Sequence, residues 1–479
     1  MGDARPAEPA AGRGRIVGVI PLVALLAVAA AATPPPALRE GLPTGAFVEH
    51  LACRTDPTQT YTLYLPTRYD TARRWPALLV FDPRGRSRLA AELFAPAAET
   101  YGWVVVSSND TRSDGPMEPN LRAVNALWPE VHTAFAVDPA RVYAAGFSGG
   151  ALLAWQVQRA TRALAGVIAA SGRFDDAFFD QDHLAPNFAT AGDTDFNYQG
   201  SREVDHWLAE HGARHRLEIF AGPHAWMPRE LATAAVEWME LDAMRSGLRP
   251  RDPALATRLL AADLAAAAAL EAGGRPLDAM RRYRAAAATF RGLQDVGGAE
   301  AKADALAASA AVRAALEEER HWDAFEAGAK QREARVLSEI VAFEEPMPPG
   351  RIVAELDLER LQALARGGGA GALAARRVLE SLFTQTAFYL TRDFLAGGHY
   401  LRAAAVLEVA TRIKPDNPTA WYNLACARSR SGRRAEALDA LSRAVDVGFA
   451  DAALAASDHD LDALRSDTRF PAILSRMRR

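Results

Sequence analysis

The clearest indication of the fold of the first half of the chain is Arg141-Val142-Tyr143-Ala144-Ala145-Gly146-Phe147-Ser148-Gly149-Gly150. A short β-prone run leads into Gly-x-Ser-x-Gly, and residues 151–155 have a helical pattern. Where this motif joins a strand to a helix, the turn strains the serine backbone and requires small neighbours. The hydroxyl of Ser148 is then exposed above the sheet, beside the first amides of the helix. Without that context, the motif predicts only a Gly/Ser turn.

The residues around this motif alternate between strand and helix patterns. Residues 61–66 alternate like a strand, and short apolar runs typical of buried parallel strands occur at 77–81, 103–107, 141–145, 166–170, 188–191 and 217–220. Helical spacing occupies residues 87–101 and 121–135. This alternation predicts a mostly parallel, doubly wound α/β domain over residues 40–245. Ligands of such sheets bind beyond the carboxyl ends of the strands, which is where Ser148 lies.

The overall composition is that of a globular protein. A length of 479 residues suggests two or three domains, and 55 basic against 59 acidic residues leave a net charge of -4. This balance gives no reason to expect a nucleic-acid partner. Cys53 and Cys426 are predicted to be packed or free thiols, because two cysteines make no disulfide framework. The sequence contains no metal-binding or nucleotide-binding motif, so we predict no cofactor.

Residues 1–32 have the pattern of an export signal. Basic residues precede the apolar run at 16–32, which has about 17 residues and ends in four alanines. We predict cleavage after Ala30 or Ala32 and a periplasmic or secreted protein. A run of this length is at the lower limit for a membrane span, so an uncleaved N-terminal anchor is the alternative, and only in that case is a membrane contact expected.

A nucleophilic serine needs a base, and His224 is the histidine best placed to supply it. It follows the predicted strand at 217–220 in the turn Ala221-Gly222-Pro223-His224-Ala225-Trp226. A loop at a strand end can bring a histidine over the edge of the sheet. The alternative is a structural loop histidine.

The third member of such a site is a carboxylate that orients the imidazole. The predicted strand at 188–191 is followed by a loop with two carboxylates, Asp193 and Asp195. We favour Asp195 and keep Asp193 as the alternative acid. The resulting chain order is Ser148, Asp195, His224, which is the order of α/β-hydrolases and differs from that of the two main serine-protease folds.

Residues 45–240 resemble the α/β-hydrolase superfamily, and within it the secreted esterases of the polyhydroxybutyrate-depolymerase and feruloyl-esterase type. The likeness is carried by three segments in order. Residues 137–151 resemble the nucleophile segment of those enzymes, Gly192-Asp193-Thr194-Asp195 resembles their Gly-x-x-Asp acid loop, and Gly222-Pro223-His224-Ala225-Trp226 resembles their histidine loop. The resemblance implies a serine esterase and supports Asp195 as the acid.

The segment that should complete the oxyanion site departs from the family pattern. The family carries His-Gly or His-Gly-Gly after the third strand, whereas this chain reads Phe81-Asp82-Pro83-Arg84-Gly85-Arg86. One donor should be the amide of Gly149. The second would come from Asp82 or Arg84, because Pro83 has no amide hydrogen. The Asp82 carboxylate would either disfavour anionic substrates or cap its own loop.

Two further residues are predicted to line the substrate cleft. Asn109 lies in the polar segment that follows the predicted strand at 103–107, and Trp226 adjoins His224. The alternatives are a polar surface loop for Asn109 and ordinary packing for Trp226.

The second half of the chain is predicted to be helical. A linker at 246–250 precedes a helical region at 252–345, with one weak repeat at 260–293, and a helical domain at 351–479. Residues 367–371 are glycine-rich and predict a flexible linker. With a period of 34 residues, 384–417 and 418–451 align, and Leu390, Gly398 and Ala403 match Leu424, Gly432 and Ala437. These units resemble tetratricopeptide repeats, which implies a surface for a protein partner.

Three functional hypotheses follow. In the first, the chain is an exported serine hydrolase that cleaves carboxylic esters through an acyl-enzyme. In the second, the hydrolase domain is an inactive scaffold and the repeats recruit a protein partner. In the third, the same triad cleaves peptide or amide bonds, because one fold hosts both activities.

Overall fold

The computed structural model describes residues 38–173, 175 and 178–477. The predicted export signal at 1–32 lies outside the described residues. The described residues divide into two compact units, the first made of residues 38–167, 175 and 178–185, the second of 168–173 and 186–477.

The first unit is an α/β structure. Its strands are β1 (Phe47–Ala52), β2 (Thr60–Tyr64), β3 (Trp75–Phe81), β4 (Val104–Ser108) and β5 (Val137–Phe147), and its helices are α1 (Ser87–Tyr101), α2 (Glu118–Ala134) and α3 (Gly149–Thr161). The strands lie in the order β1-β2-β4-β3-β5. Strand β2 is antiparallel to both of its neighbours, whereas β3 is parallel to β4 and β5. Strand β1 was not predicted, because it is half-exposed and lacks an apolar run.

The central strands are the apolar runs of the sequence. All seven residues of β3 are buried, and the pairs Leu79–Val106 and Leu79–Ala144 set its register against β4 and β5. The rings of Trp103 and Tyr143 stack with their centroids 4.3 Å apart. This register brings the ends of β3, β4 and β5 to one edge of the sheet, where Asp82, Asn109 and Ser148 follow the strands.

The second unit begins within the strand β6 (Gly166–Ala170) and continues with β7 (Asn187–Gly192), α4 (Tyr198–Glu210), β8 (His215–Phe220) and α5 (Arg229–Arg245). Strand β7 lies between β6 and β8 and is parallel to β8. The remaining helices follow in chain order: α6 (Pro253–Ala272), α7 (Pro276–Phe290), α8 (Gly297–Ala307), α9 (Ala310–Ala342), α10 (Pro349–Glu355), α11 (Leu358–Ala365), α12 (Gly369–Thr384), α13 (Leu390–Ala396), α14 (Tyr400–Ile413), α15 (Pro418–Arg430), α16 (Arg434–Asp446), α17 (Ala452–Ser457) and α18 (Arg469–Met477).

The predicted linker at 246–250 does not separate two compact units. Arg216 on β8 is 8% exposed and pairs with Asp263 on α6 at 2.8 Å. Arg282 on α7 pairs with Glu218 on β8 at 2.8 Å and also with Asp263. These ion pairs, buried at Arg216 and half-buried at Arg282, join β8 to the first two helices beyond the linker, so the sheet end and the helices form one unit.

Predicted boundaries within the helical half also differ from the structure. Met347 and Ile352 share a hydrophobic cluster with Ile340 of α9, so the break near residue 346 separates no cores. The last three residues of the predicted flexible linker, 369–371, are instead the start of α12. A side-chain atom on Gly371 would lie 2.5 Å from the Trp322 ring, so this glycine permits close packing of α12 on α9.

The 34-residue periodicity corresponds to helix pairs. Gly274, Gly398 and Gly432 occupy the turns of three pairs with φ of 72°, 73° and 80°. Ala403, Ala437, Leu407 and Leu441 are all fully buried. The repeat predicted at 384–417 does not begin at a helix start, because a π-helical turn (Gln385–Tyr389) joins α12 to α13 without a break. Membership of the tetratricopeptide family stays a prediction.

Helix α6 is, among the described residues, long and apolar enough to cross a membrane by length and composition. It packs with α7 and α8 in a shared hydrophobic cluster that includes Ala256, Ala267 and Tyr283. Its central Asp263 forms the ion pairs described above. We therefore interpret α6 as a helix of the folded protein. Cys53 and Cys426 are buried free thiols.

Candidate active site

Ser148 occupies a strained turn between β5 and α3. Strand β5 ends at Phe147 and α3 begins at Gly149, so Ser148 alone makes the connection. Its φ is 54° and its ψ is -119°. Such a conformation costs a non-glycine residue about 1–3 kcal/mol, and strain of this kind concentrates at functional sites. The turn therefore has the geometry that the Gly-x-Ser-x-Gly motif predicts.

The two glycines of the motif are fixed by steric contact. A Cβ atom on Gly146 would lie 2.0 Å from the carbonyl oxygen of Gly150. A Cβ atom on Gly150 would lie 2.0 Å from the carbonyl oxygen of Phe81, the last residue of β3. Both contacts are with backbone, which cannot move aside as a flexible side chain can. The turn thus packs against the end of β3 at a distance that only glycine permits.

Backbone amides for an oxyanion are available at the start of α3. The first amides of a helix have no intrahelical partner and point along a dipole that favours negative charge. Gly149 is the first residue of α3, as the prediction for this donor requires. A Cβ atom on Gly149 would lie 2.5 Å from Cβ of Ser113, so the loop after β4 lies directly against this turn.

The loop after β3 is organised by the carboxylate of Asp82. This side chain is fully buried, and its Oδ1 accepts hydrogen bonds from the amides of Arg84 at 2.9 Å and Arg86 at 3.2 Å. The guanidinium of Arg86 donates to both carboxylate oxygens, at 3.0 and 2.9 Å. The carboxylate therefore caps its own loop. The amide of Arg84 is already engaged, which disfavours the predicted donor role of Arg84. The donor role of the Asp82 amide stays a prediction.

Asn109 holds the loop after β4 in place. Its amide Nδ2 donates to Thr60 Oγ1 at 2.9 Å, and its Oδ1 accepts from the Ser87 hydroxyl. Both functional groups of the side chain are thus in hydrogen bonds within the fold, so it has a structural role here. Trp226 is half-buried beside His224. A substrate contact by either residue stays a prediction.

In the second unit, Asp195 and His224 form a direct pair. The Nδ1 atom of His224 lies 2.8 Å from Oδ1 of Asp195, which is fully buried. A carboxylate only accepts, so Nδ1 carries the proton and Nε2 is left as the basic nitrogen. The other carboxylate oxygen, Oδ2, is buried and has no hydrogen-bond partner among the described residues. An imidazolium at His224 would therefore meet a carboxylate with few competing donors.

Asp193 has a different function from Asp195. Its Oδ1 accepts from the amide of Gly222 at 3.0 Å, while Thr194 donates to the Gly222 carbonyl from both its amide and its hydroxyl. A Cβ atom on Gly192 would lie 2.2 Å from that carbonyl oxygen. The acid loop and the histidine loop are thus joined by backbone contacts, with Asp193 as a brace. The structure pairs Asp195, and not Asp193, with the imidazole.

Two neighbours of Asp195 were missed by the sequence analysis. The ring of Phe196 packs on the imidazole of His224, with 4.2 Å between the ring centroids. The amide of Asn197 donates to Asp195 Oδ1 at 2.7 Å, and its side chain donates to the Ser171 carbonyl at 2.9 Å. Both residues directly follow Asp195 in the sequence, and this position is the one feature that could have predicted their contact with the acid. In the described part of the chain, no group of three or more His, Cys, Asp or Glu side chains is arranged to hold a metal ion.

No protein-family model matches this chain, and no curated protein matches it either. Solved structures similar to it include a serine hydrolase, FphF, of Staphylococcus aureus, with 15% identity, 41% of this chain and 99% of that chain covered, and a TM-score of 0.35. Est1E from Butyrivibrio proteoclasticus has 15% identity, with 39% and 95% covered and a TM-score of 0.33. The S-formylglutathione hydrolase FrmB of Staphylococcus aureus has 14% identity, with 40% and 97% covered and a TM-score of 0.34.

Proposed function

We propose that this protein is a serine hydrolase of the α/β-hydrolase type that cleaves carboxylic esters. The observation that carries the proposal is the backbone of Ser148, whose φ of 54° occurs between β5 and α3. A strained serine between a strand and a helix is the geometry of a nucleophile elbow. The bond between Asp195 and His224 supports it, because the pair has the tautomer that a general base needs.

In the proposed reaction, His224 Nε2 takes the proton of the Ser148 hydroxyl as Oγ attacks the ester carbonyl carbon. The tetrahedral intermediate collapses, the bond to the alcohol breaks, and the alcohol leaves with the proton from His224. Water then attacks the acyl-enzyme with His224 again as base, which releases the acid and restores Ser148. Asp195 holds the imidazole and stabilises the imidazolium during both steps.

The amide of Gly149 is the first proposed oxyanion donor, and the amide of Asp82 is the second. The Asp82 carboxylate is paired with Arg86 at 2.9 Å, so its charge is neutralised within its own loop. We therefore expect no strong discrimination against anionic acyl groups from this residue. Loss of one oxyanion donor typically lowers the rate by about 10²–10³.

We further propose that residues 1–32 direct export and that the helix pairs at 384–417 and 418–451 form a surface for a protein partner. The basic residues and apolar run of the N-terminus support the first proposal. The shared turn geometry at Gly398 and Gly432 supports the second. Residues 1–32 lie outside the part of the chain that the structure describes.

The decisive test is covalent labelling by a fluorophosphonate probe, combined with a panel of p-nitrophenyl esters of increasing acyl length. We expect the wild type to label and to hydrolyse esters, and Ser148→Ala to lose labelling and about 10⁶ in kcat. Ser457→Ala, an exposed serine on α17, is the matched control and should behave as the wild type. A folded Ser148→Ala protein with full esterase activity would refute the proposal. Labelling with turnover of amides alone would favour a peptidase or amidase.

A further inference from the structure

Two helices of the second half of the chain bind the backbone of the acid loop. Arg377 on α12 donates from a guanidinium nitrogen to the carbonyl oxygen of Asp193 at 3.0 Å. Lys330 on α9 donates from Nζ to the carbonyl oxygen of Phe196 at 3.5 Å. These two carbonyls lie two residues before and one residue after Asp195. Two cationic side chains therefore bracket the residue that binds His224.

The two cations are tied together by a buried carboxylate. Glu326 on α9 is fully buried and accepts from Arg377 Nε at 2.9 Å. Its other oxygen lies 3.3 Å from Lys330 Nζ. An unpaired charge at this depth is strongly destabilising, so the three groups depend on one another. We call Glu326, Lys330 and Arg377 the loop clamp.

The helix that follows the acid loop is held by the same surface. Gln199 on α4 donates to Asp323 at 2.7 Å and to Glu326 at 3.2 Å. The guanidinium of Arg377 lies 4.3 Å from the ring centroid of Tyr198, the first residue of α4. Side chains of α9 and α12 thus contact the carbonyls of the acid loop. They also contact α4, the helix that follows the loop, at Tyr198 and Gln199.

The loop clamp binds the backbone carbonyls of two residues that contact His224 or its loop. The Phe196 carbonyl that Lys330 binds belongs to the residue whose ring packs on His224. The Asp193 carbonyl that Arg377 binds belongs to the residue that braces Gly222 in the histidine loop. A displacement of about 1 Å in a catalytic group can lower a rate by about 10²-fold. Loss of these contacts would therefore be expected to change the rate as well as the stability.

We propose that Lys330 and Arg377 are positioning residues, through which helices α9 and α12 hold Asp195 and His224 in their working geometry. The proposal rests on the serine-hydrolase function proposed above. It makes the helical half an integral part of the active enzyme, in addition to any surface that it offers to a partner.

The test uses the full chain with Lys330→Met, Lys330→Arg and Arg377→Lys. Lys330→Met removes the ammonium group of a side chain that is one-third exposed. Lys330→Arg keeps the positive charge and a hydrogen-bond donor. Arg377→Lys keeps the positive charge, but its single ammonium group lacks the planar set of donors with which the guanidinium binds both Glu326 and the Asp193 carbonyl. The matched control is Arg402→Lys, because Arg402 on α14 donates to the carbonyls of Ile340 and Val341 at 2.6 and 2.9 Å, away from the acid loop.

The readouts are the rate of fluorophosphonate labelling, kcat and KM for a short p-nitrophenyl ester, and thermal unfolding. We expect Lys330→Met and Arg377→Lys to lose roughly 10- to 100-fold in labelling rate and in kcat, with KM nearly unchanged. Lys330→Arg should recover most of the loss, and Arg402→Lys should match the wild type. Rates are measured below the unfolding transition of each variant.

Wild-type labelling rates in folded Lys330→Met and Arg377→Lys would overturn the positioning proposal alone. An equal loss in Arg402→Lys would also overturn it, because the effect would then be general to the helical packing. If Arg377→Lys does not fold, the Lys330→Met and Lys330→Arg pair decides the question. A wild type that does not label would overturn the hydrolase proposal and, with it, this one.

Discussion

The turn at Ser148 is held by close backbone contacts, whereas the loop at Asp195 is also held by two side chains that lie 134 and 184 residues beyond the carbonyls they bind. At the serine, the carbonyls of Phe81 and Gly150 come so close that only glycine fits. At the acid, the Asp193 and Phe196 carbonyls bind cations from α12 and α9. The contacts at the serine turn depend mainly on a five-residue motif. The contacts at the acid loop require helices from the other end of the chain. This difference predicts that the two regions respond to substitution in different ways.

The largest expected effect separates the two carboxylates of the acid loop. Asp195→Asn should lower kcat by about 10⁴, because the amide no longer fixes the tautomer or stabilises the imidazolium. Asp193→Asn should lose far less, since an amide oxygen can still accept from the Gly222 amide. Steady-state kinetics and circular dichroism of both variants measure this. A larger loss in Asp193→Asn would show that the wrong carboxylate is paired with His224.

The next effect tests the steric claim at the serine turn. Gly150→Ala should destabilise the protein by about 3 kcal/mol or more and abolish labelling, because the new Cβ atom meets the Phe81 carbonyl and the backbone must shift. Gly328→Ala is the control, since Gly328 lies within α9 and nothing approaches its Cβ position within 4 Å. That change should stabilise the protein by about 0.5–1 kcal/mol. Urea unfolding measures both, and equal stabilities would contradict the steric claim.

A smaller effect concerns a buried carboxylate in the helical half. Burial raises the pKa of Glu333 on α9 from 4.5 to about 7, although it accepts a hydrogen bond from the Ser381 hydroxyl. The folded state therefore binds this proton more tightly than the unfolded state. The resulting stability is fully present below about pH 4.5 and is lost as the pH rises through about 7.

Glu333→Gln should remove this pH dependence. Between pH 5 and pH 8 the wild type should lose roughly 2–3 kcal/mol of unfolding free energy that the variant retains. The exposed Glu318→Gln on the same helix is the control and should follow the wild type. Urea unfolding at both pH values gives the comparison. Parallel pH curves for wild type and Glu333→Gln would show that Glu333 ionises as an ordinary carboxylate.

Much of the fold was readable from local patterns. Fully buried strands such as β3 and β6 are apolar runs, and α1 was predicted with its observed bounds, because burial and helical spacing leave direct marks on the sequence. Strand β1 was missed because its half-exposed residues leave no such mark. The predicted linker at 246–250 does not separate two compact units, because the ion pairs of Arg216 and Arg282 join residues on either side of it.

Local sequence is enough to predict the strained serine turn, the two loops that follow it and their order along the chain. Those features depend on a few adjacent residues whose steric and hydrogen-bonding requirements are strict. The folded structure was needed to show that Asp195 pairs with His224 while Asp193 braces Gly222. It was also needed to show that Asp82 caps its own loop and that α9 and α12 bind the acid loop. These outcomes depend on distances between residues far apart in sequence, and pattern or spacing along the chain does not encode such distances.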